Sequence, residues 1–298
     1  LDPRVVAPLQ AQDSERALED RIGAKVQAGQ IDAALEEARR AVTQYPGSST
    51  LHQLLGAALF KKGLTAEARA SFRKAIELDP SVPQSHFNLA LVDLSENKYG
   101  EAAKSLETCL RLEPTNAQAH LLLGRAYHNL NRTLPAITQF KKALDLTPQL
   151  PLVHYHLGYA YQSQGNLQRA LDEYLKEIGS NPEFPGSYWL AGNIELGRGN
   201  LDAAEALFRK GIGLRPQAFQ ARYGLARVLL ARKQLPEAEA ELKKAVELNP
   251  ANVEAHYALA RAYQQMGRKE DAEREYRTVT DLHARNESQR SGIAGQQR

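Results

Sequence analysis

Prolines stand at Pro46, Pro80, Pro114, Pro148, Pro182, Pro216 and Pro250, each 34 residues after the one before. Seven prolines in phase mark an internal repeat, and a repeat decides the fold class before local propensities are weighed. With proline at position 32 of the unit, eight units follow at 15–48, 49–82, 83–116, 117–150, 151–184, 185–218, 219–252 and 253–286. Residues 1–14 are left as an N-terminal extension. Residues 287–298 are left as a polar C-terminal tail, expected to be disordered.

Other positions align once the register is set. Position 20 is alanine in all eight units, from Ala34 to Ala272. Position 8 is small in seven: Gly56, Ala90, Gly124, Gly158, Gly192, Ala226 and Ala260, with Ile22 the exception. Position 24 is mostly bulky, as at Phe72, Phe140, Tyr174 and Phe208. Position 15 is glycine or asparagine in seven units and Lys233 in the other. Each unit therefore reads as two antiparallel helices. A left-handed residue at position 15 ends the first helix. Proline at 32 stops the second, because it has no backbone N–H to donate. Small residues at 8 and 20 let the helices approach, and the bulky residue at 24 fills the space beside them.

This pattern resembles the tetratricopeptide repeat family, which shares the small residue at 8, alanine at 20, the aromatic at 24 and proline at 32. Tyr127, Tyr161 and Tyr263 match that family's tyrosine at position 11. The resemblance covers 15–286. It implies an all-α fold, a right-handed α-solenoid superhelix of eight helix-turn-helix repeats, whose inner surface is lined by the first helices. Repeat one, with a charged first helix over Glu15–Gln27, reads as a polar end cap. Repeat eight, with Ala284 in place of proline, also reads as an exposed end.

Composition narrows the function. Thirty-eight basic against 35 acidic residues leave a net charge of +3, too little for a nucleic-acid partner. No run of 18 or more apolar residues would span a membrane. One cysteine, Cys109, excludes a disulfide framework and multi-cysteine metal sites. It falls at position 27, alanine in four other repeats, and reads as a small packing residue. His52, His86, His120, His154 and His256 all fall at position 4, one repeat apart, so they do not surround one ion. They read as packing residues where the family has tryptophan. No catalytic constellation stands out, and no metal or cofactor is expected. The start at Leu1 leans towards an exported bacterial chain, periplasmic or extracellular, over a cytoplasmic one.

The resemblance places positions 2, 5, 6, 9, 12 and 13 on the concave face. The spacing agrees, since 5, 9 and 12 or 13 share one side of a helix, opposite 8 and 11. Position 5 supplies Phe87, Tyr155, Trp189, Tyr223 and Tyr257, and position 9 supplies Arg125, Tyr159, Asn193, Arg227 and Arg261. Aromatic residues and arginine are the types enriched at binding hot spots, and arginine forks onto carboxylates. These ten residues are the expected contact surface for an extended peptide carrying acidic groups. The alternative is that the aromatics fill space between neighbouring first helices. The carboxylate-clamp pattern, lysine at 5 with asparagines at 6 and 9, is missing: Asn88 and Asn193 are isolated.

The expected function is a non-catalytic scaffold binding a protein or peptide. Two further readings stand beside it. One is a structural subunit of a multisubunit complex, docked by its ends or convex face. The other is a recognition arm cut from a larger enzyme. Oligomeric state is open.

Overall fold

The helical signals are obeyed almost to the residue. The structure, a computed structural model, describes residues 14–295, with side chains from 14 to 287. It contains sixteen α-helices and, among the described residues, no strand. The chain divides into two compact units, one through Leu150 and one from Pro151.

In the first unit the helices are α1 Glu15–Gln27, α2 Ile31–Gln44, α3 Ser49–Lys61, α4 Thr65–Leu78, α5 Pro83–Ser95, α6 Tyr99–Leu112, α7 Ala117–Asn129 and α8 Thr133–Leu146. In the second they are α9 Val153–Ser163, α10 Leu167–Ser180, α11 Pro185–Gly197, α12 Leu201–Leu214, α13 Phe219–Ala231, α14 Leu235–Leu248, α15 Val253–Gln265 and α16 Lys269–Gly295. These are eight helix pairs, one per 34-residue unit. The first helix of a repeat covers positions 1–13 in all but α9, and the second starts at position 17.

Three local devices set these bounds. Several first helices begin with a side-chain cap: Ser48 accepts from the Leu51 N–H at 3.3 Å, Asn116 from Ala119 at 2.9 Å and Asn252 from Ala255 at 2.8 Å. Pro83 and Pro185 instead open α5 and α11, where an N–H would be unpaired anyway. The turn between paired helices carries a positive φ at position 15 in every repeat, including Asn97 at 59°, Asn131 at 58° and Lys233 at 61°.

Packing follows the small and bulky pattern. A Cβ placed on Gly124 would fall 2.5 Å from Phe140 Cε1, and one on Gly158 would fall 2.8 Å from Tyr174 Cε1 and 3.1 Å from the Ala170 carbonyl. Position 8 is thus the face on which the aromatic of position 24 lies, next to the alanine of position 20. Phe72, Phe140, Tyr174 and Phe208 are buried almost completely. Ile22 is fully buried too, in a cluster that runs from Leu18 and Val26 through Leu51, Leu59 and Phe72 to Val92.

Two departures matter. Leu152 takes a left-handed φ of 69°, and α9 starts two residues late. Glu177 explains how this start is held. It is fully buried at position 27, where other internal repeats have Ala, Gly or Cys. Its carboxylate accepts from the Leu152 N–H at 2.9 Å, the Tyr155 N–H at 3.3 Å and Asn181 Nδ2 at 3.1 Å. The second departure is α16. It runs on through residue 287 to Gly295, in place of the disordered tail expected there. With Ala284 where other repeats have proline, nothing withdraws an N–H or clashes with the preceding turn, so the helix continues. Residues 296–298, and the N-terminal extension apart from its last residue Ser14, lie outside the described residues.

Candidate peptide-binding surface

The expected contact residues do not all behave alike. In the first unit, Phe87 on α5 is half-buried and Arg125 on α7 is exposed. In the second, Tyr155 turns into the packing between neighbouring helices. Its ring meets Phe184 edge-on at 4.9 Å and lies 3.3 Å from where a Cβ on Gly186 would stand. Trp189 packs against the cluster around Phe208 and Leu225. For these two, the space-filling role weighed in the sequence is real. Tyr159, by contrast, is 46% exposed, and Tyr257 is 48% exposed.

The structure brings four of the ten residues together. Tyr223 and Arg227 of α13 and Tyr257 and Arg261 of α15 line one cavity of about 610 Å³. Its walls are completed by apolar Leu230, Val253 and Val279, and by Glu254, Gln265 and His283. Asn193 sits at its margin, accepting from Arg227 Nη1 at 3.4 Å. Sequence reasoning missed Val279 and His283, because they lie on α16, a second helix. For His283 the available signal was Ala284, which lets α16 run past the place where other second helices stop.

The chemistry of the cavity is set by what its arginines do not do. Three other arginines of these repeats are spent on neighbours. Arg222, on the same helix as Arg227, reaches Glu241 at 2.7 Å and the Pro216 carbonyl at 2.7 Å. Arg232 pairs with Asp202 and Glu205, and Arg268 with Glu239 at 2.9 Å. Among the described residues, Arg227 has only the long bond to Asn193 and a position 5.9 Å from the centroid of the Tyr223 ring. Arg261 makes no hydrogen bond or ion pair among the described residues. Two guanidinium groups thus face one carboxylate, that of Glu254. Tyr223 stacks on Phe219 at 5.6 Å with 9° between the rings. Burial pushes its phenol upward, so it stays a neutral hydroxyl at any physiological pH.

The residues set aside in the sequence are explained locally. His52, His86, His120 and His256 each place Nε2 3.0–3.2 Å from the carbonyl of the proline six residues earlier. They are links to the preceding repeat as well as packing residues. Cys109 is fully buried, and burial pushes its thiol up to about 11, with a smaller contribution from Glu113. Among the described residues, no group of three or more His, Cys, Asp or Glu could hold a metal ion, and no helix is long and apolar enough to cross a membrane.

Family models described as tetratricopeptide repeat match residues 22–83, 152–184, 185–217 and 253–285, and one described as TPR repeat matches 91–131, 135–165 and 226–267. The chain belongs to the tetratricopeptide repeat family. Such repeats are typically non-catalytic scaffolds for protein–protein interaction. No curated protein matches the chain. Among solved structures, a chain of the APC/C hetero-tetramer Cut9–Hcn1 is similar, with a TM-score of 0.66 and 19% identity over 83% of this chain. This protein spans about half of that chain, 48%. The protein PilF of Pseudomonas aeruginosa is similar with a TM-score of 0.62 and 20% identity, over 78% of this chain and 98% of that one. These two likenesses show the shared fold. MamA is similar with a TM-score of 0.52 and 26% identity, over 55% of this chain and 95% of MamA.

Proposed function

We propose that this tetratricopeptide repeat protein is a scaffold that holds an extended, acidic segment of a partner protein against the first helices of repeats seven and eight. The observation that carries this reading is the cavity between α13 and α15, where two tyrosine faces and two arginines without an ion-pair partner among the described residues meet apolar walls. Its volume is in the range of small-ligand and side-chain pockets, roughly 300–1,000 Å³. The tyrosine faces offer broad contact at little entropy cost. Arg227 and Arg261 supply forked donors for a carboxylate or for peptide carbonyls. Tyr159 and Asn193 extend the same face towards repeats five and six, and Phe87 and Arg125 mark the corresponding face in the first unit. The reading of the chain as a subunit held by another surface is the competing one.

The test is capture of partners from the native source with the full chain and with Tyr223→Ala/Arg227→Ala. Synthetic peptides from the captured partner, acidic and charge-neutralised, are then titrated by calorimetry. The expected result is at least a tenfold loss of affinity in the double variant, and a similar loss on neutralising the peptide's acids. Equal affinity for both chains, with helicity unchanged, would move the contact elsewhere.

A further inference from the structure

The inner junctions between repeats give a template for the end of repeat eight. At such a junction, position 27 of one repeat lies against position 3 of the next: a Cβ on Gly211 would stand 3.6 Å from the Cβ of Ala221. Position 9 of one first helix lies against position 6 of the following one: a Cβ on Gly23 would stand 3.8 Å from Leu54 Cδ2. Positions 3 and 10 are buried in every repeat from the second to the eighth, from Leu51 and Ala58 to Ala255 and Ala262.

Both ends of the array carry halves of such a junction without a neighbour among the described residues. On α1, positions 3 and 10 are Ala17 and Ala24, alanine as at Ala119 and Ala126 or Ala255 and Ala262, yet exposed. Between them stands Asp20 at position 6, exposed and with no hydrogen bond or ion pair among the described residues. Of the three basic residues of α1, Arg21 and Lys25 both reach Glu37 of α2, Lys25 at 2.7 Å, while Arg16 is exposed one turn before Asp20. At the other end, Val279 at position 27 is only half-buried, whereas position 27 is buried in all seven other repeats. Arg261 stands at position 9, exposed and unpaired.

We infer that α1 of one copy docks on the α15–α16 face of a second copy, continuing the repeat register from molecule to molecule. In that register Ala17 covers Val279, and Asp20 meets Arg261, a carboxylate opposite a guanidinium. The contact is heterologous, so it joins copies head to tail, into a closed ring or an open chain. One helix face is a small interface, so the association is weak, with a Kd on the order of 10–100 µM. The inference goes beyond the peptide reading but shares Arg261 and Val279 with it, so a second copy and a peptide compete for this end.

The test is sedimentation of the full chain from 1 to 500 µM, a range set to bracket that Kd. The wild type is expected to gain mass with concentration. Asp20→Arg and Arg261→Asp should each weaken association at least tenfold. The double variant Asp20→Arg/Arg261→Asp should recover it, and so should an equimolar mixture of the two single variants. These positions are exposed on helices, so folding is preserved, and circular dichroism checks it. A monomer at every concentration overturns the inference, as does self-association that ignores both charge reversals. Asp20 is outside the peptide cavity, so loss of association with peptide affinity intact separates this inference from the proposed function.

Discussion

Lys233 holds a left-handed backbone at φ 61°, where five repeats have glycine and two have asparagine. A side chain there costs roughly 1–2 kcal/mol, while glycine gives back about 0.5–1 kcal/mol in unfolded-chain entropy. Lys233→Gly is therefore expected to stabilise the protein by about 0.5–1 kcal/mol, read as a higher urea midpoint. An unchanged or lower midpoint would contradict it. The opposite sign is expected at Ala170, which is fully buried with its carbonyl 3.1 Å from the Cβ position of Gly158. Ala170→Glu brings both volume and charge into that contact and should cost roughly 3 kcal/mol or more. A thermal midpoint equal to wild type would refute the register itself. At Cys109, a buried thiol raised to about 11 should resist thiol reagents at pH 8 until the protein unfolds. These sites were legible in sequence because each recurs every 34 residues and does one steric task. The cavity was legible only in part. Repeat position says which side of a helix a residue occupies, but whether Tyr155 packs or Tyr257 stays open depends on the neighbour above it.

Helix pairs are tied to their neighbours by ion pairs that periodicity does not announce. Arg69 of α4 reaches Asp93 at 3.0 Å and Glu96 at 2.8 Å, both in repeat three. Its hydrogen bond, followed by those from Lys98 and Thr65, holds the Glu96 carboxyl down to about 2, against an ordinary 4.5. A depressed carboxyl stabilises the fold above its unfolded value and loses that contribution as pH falls through the folded one. Stability should therefore decline between pH 4.5 and 2, and Arg69→Met should flatten this part of the profile. A slope equal to wild type in equilibrium unfolding across that window would argue against the link. The late start of α9 was not legible at all. Position 27 reads as a slot for a small side chain, and nothing in the repeat register shows that Glu177 would sit there buried and bind the Leu152 and Tyr155 N–H groups. Glu177→Ala should cost about 2–3 kcal/mol, since it leaves two part-buried backbone donors without their acceptor. Loss of less than 1 kcal/mol would mean that water replaces the carboxylate.

For the molecule as a whole, the repeat family fixes the scaffold while single side chains fix what it can hold, since fold and function are separable. The links at position 4 show how such an array can change without breaking. The carbonyl of the preceding proline receives an imidazole in four repeats, the Tyr188 hydroxyl at 3.0 Å in a fifth and the Arg222 guanidinium at 2.7 Å in a sixth. The acceptor is a main-chain atom present in every copy, and it is indifferent to the chemical kind of the donor so long as the donor is long enough. Mutation can therefore wander among His, Tyr and Arg at this site under weak selection, drifting the copies apart in letters while they remain interchangeable in shape. Duplicated segments of this kind would keep their architecture long after their common ancestry had faded from the text.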